Sequence, residues 1–464
     1  MTTARRAAAQ AARRSSDRKS TARSARDAAV VILSRVDGGE AYANILLASV
    51  LGRAGLSEID AGLATELVLG TLRHRARVDW TLAGALRHPL DDLPPRIRAV
   101  LRTGAYQLLF MPRIPPHAAV DEAVSLARIH GHAGTVKLAN AVLRRIASEG
   151  ERILPAASSI GRISIAHSHP EWLVDRWIRR FGEVETEALC RANNAPARPT
   201  ARLNTLQLHP DEAVRRLLDA GMTVTRTALA EGVYLAGPVS ERHRVVAEGL
   251  LTMQDLAAML VTHVLDPQPG ETIIDGAAAP GGKTTHIAER MRDRGRIIAC
   301  DTHAAKLTRL RHRVARMGIS IVEAHERDAR EIGRVFSRQA DRVLLDAPCT
   351  GLGVLRRRPD IKWRVQAGDI TTLAALQLQI IRGAADAVRP GGVLVYSVCT
   401  TEDEEGQKVV SEFLTEHEEF RLEMPDLPDA LRSAVAAPGA ALLLPQRHDT
   451  DGFFIARMRR RADI

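Results

Sequence analysis

Two of the four cysteines, Cys349 and Cys399, each stand just past a short apolar run that closes on polar residues: Asp346-Ala347-Pro348-Cys349 and Ser397-Val398-Cys399. A lone cysteine is more often a small buried apolar residue than a nucleophile. Two at neighbouring strand ends change that expectation. A thiolate is a strong nucleophile, and a second sulfur beside it can take or hold a proton. Cys190 and Cys300 lack this setting, and no CxxC pair occurs. A disulfide framework and a zinc site are therefore not expected, and the thiols read as reduced.

A second chemical signal precedes the cysteines. An apolar run leads into Asp275-Gly276-Ala277-Ala278-Ala279-Pro280-Gly281-Gly282-Lys283, where small residues let backbone approach a ligand closely. The spacing is neither the GxxxxGK[ST] phosphate loop nor the dinucleotide GxGxxG. The next run ends at Asp301, suited to accept hydrogen bonds from a ribose diol, and the one after leads to Asp328, suited to lie near an adenine. Singly, each Asp reads equally well as a cap on a turn or helix. As an ordered series they favour a nucleoside ligand without a pyrophosphate, and S-adenosylmethionine is the obvious candidate.

The elements that must hold these residues follow from the pattern. From about Gly249 onward, short apolar runs (271 to 277, 296 to 301, 341 to 346 and 391 to 399) alternate with helical stretches (284 to 291, 304 to 317 and 370 to 387). This is the pattern of a doubly wound α/β sheet with buried parallel strands, which binds ligands outside the carboxyl ends of its strands. Upstream, 151 to 245 reads as a small α+β module: helical at 171 to 181 and 211 to 220, extended at 201 to 206 and 224 to 235. Its Arg202 and Asn204 read equally as RNA contacts or as structural residues. From 26 to 150, apolar residues recur at spacings of three and four in 29 to 36, 45 to 51, 64 to 72 and 97 to 109. Gly38-Gly39, Pro94-Pro95 and Pro112 to Pro116 break the pattern, so five or more bundled helices are expected. The methyltransferase-like part is expected over 246 to 460.

Sixty-five Lys and Arg against 55 Asp and Glu give the 464-residue chain a net charge of +10, which favours a polyanionic partner, most simply a nucleic acid. Residues 1 to 25 hold Arg5, Arg6, Arg13, Arg14, Arg18, Lys19 and Arg23 against the single acid Asp17. They read as a disordered basic tail, either solubilising or holding phosphates, with a transit peptide as a lesser alternative. No apolar run is long enough to span a membrane and no signal-peptide core occurs, so a cytoplasmic protein without a membrane partner is expected; no metal and a monomeric state are expected as well. Aromatic residues make up 3% of the chain, which favours RNA recognition by backbone charge and shape over base stacking.

The stretches LVLGTLR (with Gly70), RAVLRTGAYQLLF, PPHAAVDEAVSLAR and LANAVLRRI make residues 26 to 150 resemble the RNA-binding domain of the antitermination factor NusB. Taken singly, Arg73, Arg75, Arg77, Arg144 and Arg145 read as a charged face. HPEWLVDRW and RPTARLNTLQ resemble the module that lies beside the catalytic domain in rRNA cytosine methyltransferases. With PGGK, DAPC, RRRPDIKW at 356 to 363 and DGFFIARM at 451 to 458, almost the whole chain after the tail resembles the Nol/Nop/Sun family of RNA 5-methylcytosine methyltransferases. Within it, the bacterial small-subunit rRNA members are most similar.

The resemblance implies an N-terminal all-α NusB-like bundle, a small α+β module and a C-terminal class I, Rossmann-like S-adenosylmethionine-dependent domain. Ala277, Ala278, Ala279, Pro280, Gly281, Gly282, Lys283, Asp301, Asp328 and Asp346 would line the cofactor site. Cys399 would attack carbon 6 of the cytosine, Cys349 would remove the carbon 5 proton, Asp346 would hold the pyrimidine, and Lys283 would keep the local potential positive. The partner implied is small-subunit rRNA. The same chemistry on tRNA and a non-catalytic RNA-binding assembly factor are the alternatives. The chain departs from the family pattern at Ala277, where many members have Cys; at Val398, where Thr is usual; and in TTEDEEG, whose Asp403 and Gly406 replace the usual residues of that loop.

Overall fold

The computed structural model describes residues 22–155, 158–237, 239, 243–423 and 427–462. Most of the expected basic tail, residues 1–21, lies outside these. The chain forms two compact units, one reaching to Cys190 and taking in Arg358–Arg364, the other made of Arg191–Arg357 and Val365 onward.

The first unit is helical: α1 (Ala25–Asp37), α2 (Ala43–Ala54), α3 (Glu58–Arg73), α4 (Arg75–Ala85), α5 (Pro95–Phe110), α6 (Pro116–His130), α7 (Ala133–Glu149), α8 (Ser159–Ala166), α9 (Glu171–Phe181) and α10 (Glu183–Asn194), the last of which runs on past Cys190. The Gly and Pro breaks fall between α1 and α2, α4 and α5, and α5 and α6, with Pro95 and Pro116 in the first helical turn, where a missing N–H costs nothing. One apolar core, including Ile32, Leu67, Leu72, Ile97, Leu101 and Leu143, fills the bundle. Buried Arg102 ties helices together through Asp79 (2.7 and 2.8 Å) and Asp37 (2.5 Å). The five arginines do not form one charged face. Arg73 is buried and Arg75 pairs with Asp37 at 3.2 Å, whereas Arg144 and Arg145 are exposed.

The segment Arg358–Arg364 joins this bundle by specific bonds. Asp360 accepts the Ala43 N–H at the start of α2 (2.9 Å), Lys362 donates to the Arg73 carbonyl (2.9 Å) and Trp363 donates to that of Leu72 (2.6 Å). Lys362 is fully buried, and desolvation pushes its ammonium well below the ordinary lysine value. The RRRPDIKW stretch is thus split. Arg356 and Arg357 pair with Asp449, Asp451 and Asp255 in the second unit, and the residues after them serve the helical one.

The second unit carries two sheets. Strands β1 (Thr200–Leu203), β2 (Val224–Arg226), β3 (Gly232–Leu235) and β4 (Leu251–Met253) form an antiparallel sheet in the order β2-β3-β1-β4, with α11 (Pro210–Asp219) against it. The larger sheet contains β5 (Thr272–Asp275), β6 (Arg296–Asp301), β7 (Val322–Glu326), β8 (Ala340–Asp346) and β9 (Val388–Val398), all parallel in the order β9-β8-β5-β6-β7. Its helices are α12 (Leu256–Leu265), α13 (Gly282–Arg290), α14 (Ala304–Arg316), α15 (Ala367–Ala385) and α16 (Gln407–Glu416). The sheet is not purely parallel as the sequence pattern implies. Beyond β9, β13 (Phe453–Arg460) is antiparallel, followed by β12 (Ala440–Leu443) and β11 (Val435–Ala437), and β10 (Phe420–Leu422) also pairs with β13. β10, β11 and β12 are only three or four residues long, so they carry little periodic signal.

Gly70 makes the sharpest demand on sequence in the bundle: a Cβ there would lie 2.1 Å from the Tyr106 hydroxyl, which donates to Glu66 at 2.5 Å. Ala at position 70 must displace that ring. Gly70→Ala is expected to destabilise the protein by about 1–3 kcal/mol in chemical unfolding, the usual cost of overpacking. Unchanged stability would show that the ring moves freely.

Candidate active site

Parallel strands bring their carboxyl ends to one edge, so Asp275, Asp301, Asp346 and the Ser397-Val398-Cys399 stretch emerge there together. β8 and β9 are neighbours, with Asp346 paired opposite Ser397. That register carries the two cysteines to the same place, and their Sγ atoms lie 3.2 Å apart. Both are half-buried. The S–H···S contact with Cys399, together with burial, pushes the Cys349 thiol well above the ordinary thiol value. Cys190 and Cys300 are buried, and burial pushes each up to about 12, which makes them inert by comparison.

The loops behind the pair are fixed by backbone. The Gly353 N–H donates to the Cys399 carbonyl (3.1 Å), and the Gly452 N–H donates to the Gly353 carbonyl (2.7 Å). A Cβ on Gly353 would fall 2.0 Å from the Gly452 oxygen, so only glycine lets this loop cross behind Cys399. Fully buried Glu405 anchors the other side. It accepts the Thr350 N–H (2.8 Å), the Thr350 hydroxyl (2.5 Å) and the Gln377 amide (3.1 Å). Sequence reasoning missed Glu405, and its place in an acidic run ahead of α16 was the only signal. The departures at Val398 and Gly406 also have a physical place. Val398 is buried in the apolar core, and a Cβ at Gly406 would lie 2.9 Å from the Phe454 ring.

Beside the cysteines, Lys283 donates to Asp346 at 2.6 Å, and Ser397 donates to the other carboxylate oxygen at 2.9 Å. The Lys283 ammonium also sits 5.2 Å from the Phe453 ring centroid. Asp346 lines a cavity of 500 Å³, within the usual range for a small-molecule site. Ala277, Ala279, Asp301 and Asp328 also line it. Asp301 accepts the His303 N–H (2.9 Å), and Asp328 accepts that of Arg330 (2.9 Å), so each aspartate caps a turn while facing the cavity.

Five of the expected cofactor residues do not line this cavity. Ala278 is buried against Ala299 and Leu310; Gly281, at φ 98°, passes close to Leu310; Pro280 faces a neighbouring groove; Gly282 begins α13; and Lys283 turns to Asp346. They shape the turn that brings Ala277 and Ala279 to the wall. The apolar wall, Leu376 and Ile380, was missed, although their spacing of four on a helical stretch was a readable hint.

Arg202 and Asn204 prove structural. Arg202 is completely buried and binds Glu289 twice (2.9 Å each), Thr285 (2.9 Å), the Gly282 carbonyl (2.8 Å) and Gln254, clamping the start of α13 from β1. Asn204 donates to the Gly249 and Met317 carbonyls. Among the described residues, one group has metal-ligand residue types, Glu231, His263 and His286. Glu231 Oε1 lies 2.6 and 3.0 Å from the two Nε2 atoms, the spacing of two imidazole N–H donors on one carboxylate, and Arg290 points a donor at His263 Nδ1. A metal on His263 Nε2 needs a proton on Nδ1, which that arginine opposes.

Residues 262–459 match the family described as 16S rRNA methyltransferase RsmB/F, residues 23–148 the NusB family, and residues 169–241 the ferredoxin-like domain of RsmF/B-like methyltransferases. The chain is 38% identical to the probable ribosomal RNA small subunit methyltransferase B of Bacillus subtilis, covering 94% of this chain and 99% of that one. It belongs to the RsmB/F methyltransferase family. A second relative, the ribosomal RNA small subunit methyltransferase B of Pseudomonas putida, is 34% identical over 93% of this chain and 97% of its own length.

Among solved structures, PH0851 matches with a TM-score of 0.81 at 28% identity, covering 94% of this chain and 99% of that one. NSun6 from Pyrococcus horikoshii, solved with SFG, matches at a TM-score of 0.58 and 25% identity over 63% of this chain and 99% of its own. The family therefore combines a helical NusB domain, a ferredoxin-like module and a Rossmann-like methyltransferase domain, and its cofactor is S-adenosylmethionine. The residues present fit that group: small residues at the turn, carboxylates at successive strand ends and an apolar wall.

Asp275, at the root of the cofactor turn, is fully buried and accepts the Thr284 hydroxyl at 2.7 Å. Burial, reinforced by Asp346, pushes its carboxyl up to about 7. An acid raised on folding contributes stability that is complete below about pH 4 and is lost as pH rises through 7. Asp275→Asn cannot ionise and keeps an acceptor for Thr284. Its stability relative to the native chain is expected to increase between pH 4 and pH 8 in parallel thermal melts. A constant difference across that range would contradict the ionisation.

Proposed function

We propose that the chain methylates carbon 5 of a cytosine in small-subunit (16S) ribosomal RNA, through a covalent bond between Cys399 and carbon 6. The reading rests above all on the 3.2 Å separation of the Cys349 and Cys399 sulfurs beside Asp346. S-adenosylmethionine supplies an electrophilic methyl group. Carbon 5 of cytosine is too weak a nucleophile to take it unaided, so the Cys399 thiolate adds to carbon 6 and pushes electron density onto carbon 5. Asp346, held by Lys283 and Ser397, bonds the pyrimidine where charge develops at nitrogen 3.

Adduct formation also switches Cys349. In the free enzyme its S–H is held by the neighbouring sulfur. Once Cys399 is bonded to carbon, its sulfur is a thioether that no longer shares a proton with Cys349, and Cys349 can release its own proton to solvent. Its thiolate then removes the carbon 5 proton, the carbon 6–sulfur bond breaks, and the electron pair returns to Cys399. A cytosine in a helix must first be extruded, since sulfur and methyl donor both have to reach the ring. The ribosomal substrate follows the relatives named above and the NusB-type domain, and the reading is of a cytoplasmic enzyme.

Cys349→Ala, incubated with RNA and S-adenosylmethionine, is expected to accumulate a protein–RNA adduct that survives denaturing electrophoresis. The adduct should vanish when Cys399→Ala is added. No adduct, together with full methylation by Cys399→Ala alone, would overturn the assignment of roles. Bisulfite sequencing of small-subunit rRNA and tRNA incubated in parallel separates the two substrate classes.

A further inference from the structure

A second groove, of 570 Å³, opens on the other side of the cofactor turn, lined by Pro280, Thr308, Arg309, His312, Arg313 and Arg316. All but Pro280 lie on α14. That helix, AAKLTRLRHRVAR, holds five Lys or Arg and a His with no acidic residue. Leu307 and Leu310 bury one face against the sheet, and residues 308/309, 312/313 and 316 form a single stripe on another. Like charges three and four residues apart destabilise a helix, so the stripe carries a cost that an anion would remove.

Several surface arginines elsewhere in this unit are neutralised: Arg296 by Glu323, Arg330 by Asp328, and Arg382 by Glu412 and Glu416. Along the groove, Arg309 and His312 are exposed and have no ion-pair partner among the described residues, and the Nε of half-buried Arg316 is buried without a hydrogen-bond partner. The groove is also built at both ends. A Cβ on Gly282 would lie 3.6 Å from the Arg313 guanidinium, and a Cβ on Gly249, beside the small sheet, would lie 2.5 Å from the Arg316 carbonyl oxygen.

We propose that this groove binds the phosphate backbone of the RNA substrate, with Arg309 and Arg316 as phosphate contacts. The proposal rests on the reading that the chain acts on RNA. Phosphodiesters match what the groove offers: several guanidinium donors, an imidazole and a hydroxyl, with no aromatic platform for bases. Pro280 on its wall is three residues from Lys283, so a strand held here runs past the turn that serves the reacting centre.

The test compares Arg309→Gln with Arg311→Gln, which removes the same charge from the same helix outside the groove, where Arg311 donates to the Ala324 carbonyl. An in vitro transcript of small-subunit rRNA is titrated at several salt concentrations. Arg309→Gln is expected to weaken binding several-fold and to lower the slope of log affinity against log salt by about 0.7–1, as for one lost phosphate contact. The KM for RNA should rise while S-adenosylmethionine affinity stays unchanged, and Arg311→Gln should bind like the native chain. Arg316→Gln, checked for an unaltered melting temperature, should repeat the Arg309 result.

Equal RNA affinities and slopes for Arg309→Gln and Arg311→Gln overturn the groove. Native product analysed in the same assay separates this from the parent reading. Reduced affinity with product lacking 5-methylcytosine keeps the groove and removes the cytosine chemistry, and unchanged affinity with 5-methylcytosine present does the reverse.

Discussion

The contact between two sulfurs organises this molecule. Cys349 and Cys399 meet at 3.2 Å because β8 and β9 are adjacent and in register, Asp346 opposite Ser397, and because each strand ends at the same edge of a parallel sheet. A slip of one residue between those strands would turn one thiol toward the core. Much of the surrounding structure can be understood as fixing that meeting. Gly353 lets a loop cross behind Cys399, Glu405 pins Thr350 next to Cys349, and Val398 seats the strand end in the core. The pair is not symmetrical in position, since Cys399 directly follows β9 whereas Cys349 lies in the loop beyond β8.

The cofactor cavity and the sulfur pair share one residue. Asp346 lines the cavity with one face while Lys283 and Ser397 occupy its oxygens, which joins the methyl-donor side to the side where the pyrimidine would react. The small antiparallel sheet contributes at one remove. Arg202 reaches from β1 to the carbonyl of Gly282 and the side chains of Thr285 and Glu289, so the start of α13, and with it Lys283, is held from outside the methyltransferase domain. This explains why a basic residue in a motif of an RNA-modifying protein is completely buried.

The sequence made the centre of the fold legible and left its supports obscure. Four of the five parallel strands announce themselves as apolar runs bounded by Gly, Asp or Pro, and their ends carry the residues that chemistry would need. The helical breaks at Gly38, Pro94 and Pro112 to Pro116 were equally plain, because Gly and Pro act locally. What was not legible depends on residues far apart in the chain. Glu405 matters only because folding brings it to Thr350, 55 positions away. RRRPDIKW reads as one motif but is divided between two compact units, with buried Lys362 and half-buried Trp363 serving the helical one. Asp301 and Asp328 were ambiguous between capping and ligand binding, and the fold gives each a capping bond and a place on the cavity wall.

The central claim is that the sulfur pair works on carbon 5 of a cytosine, and hydrogen release from that carbon tests it most directly. RNA transcribed with cytidine tritiated at carbon 5 and methylated by the native chain should release one tritium to water for each methyl group transferred. Methyl transfer with the tritium retained would mean that the methyl group goes to another atom, and the account of Cys349 and Cys399 would be wrong.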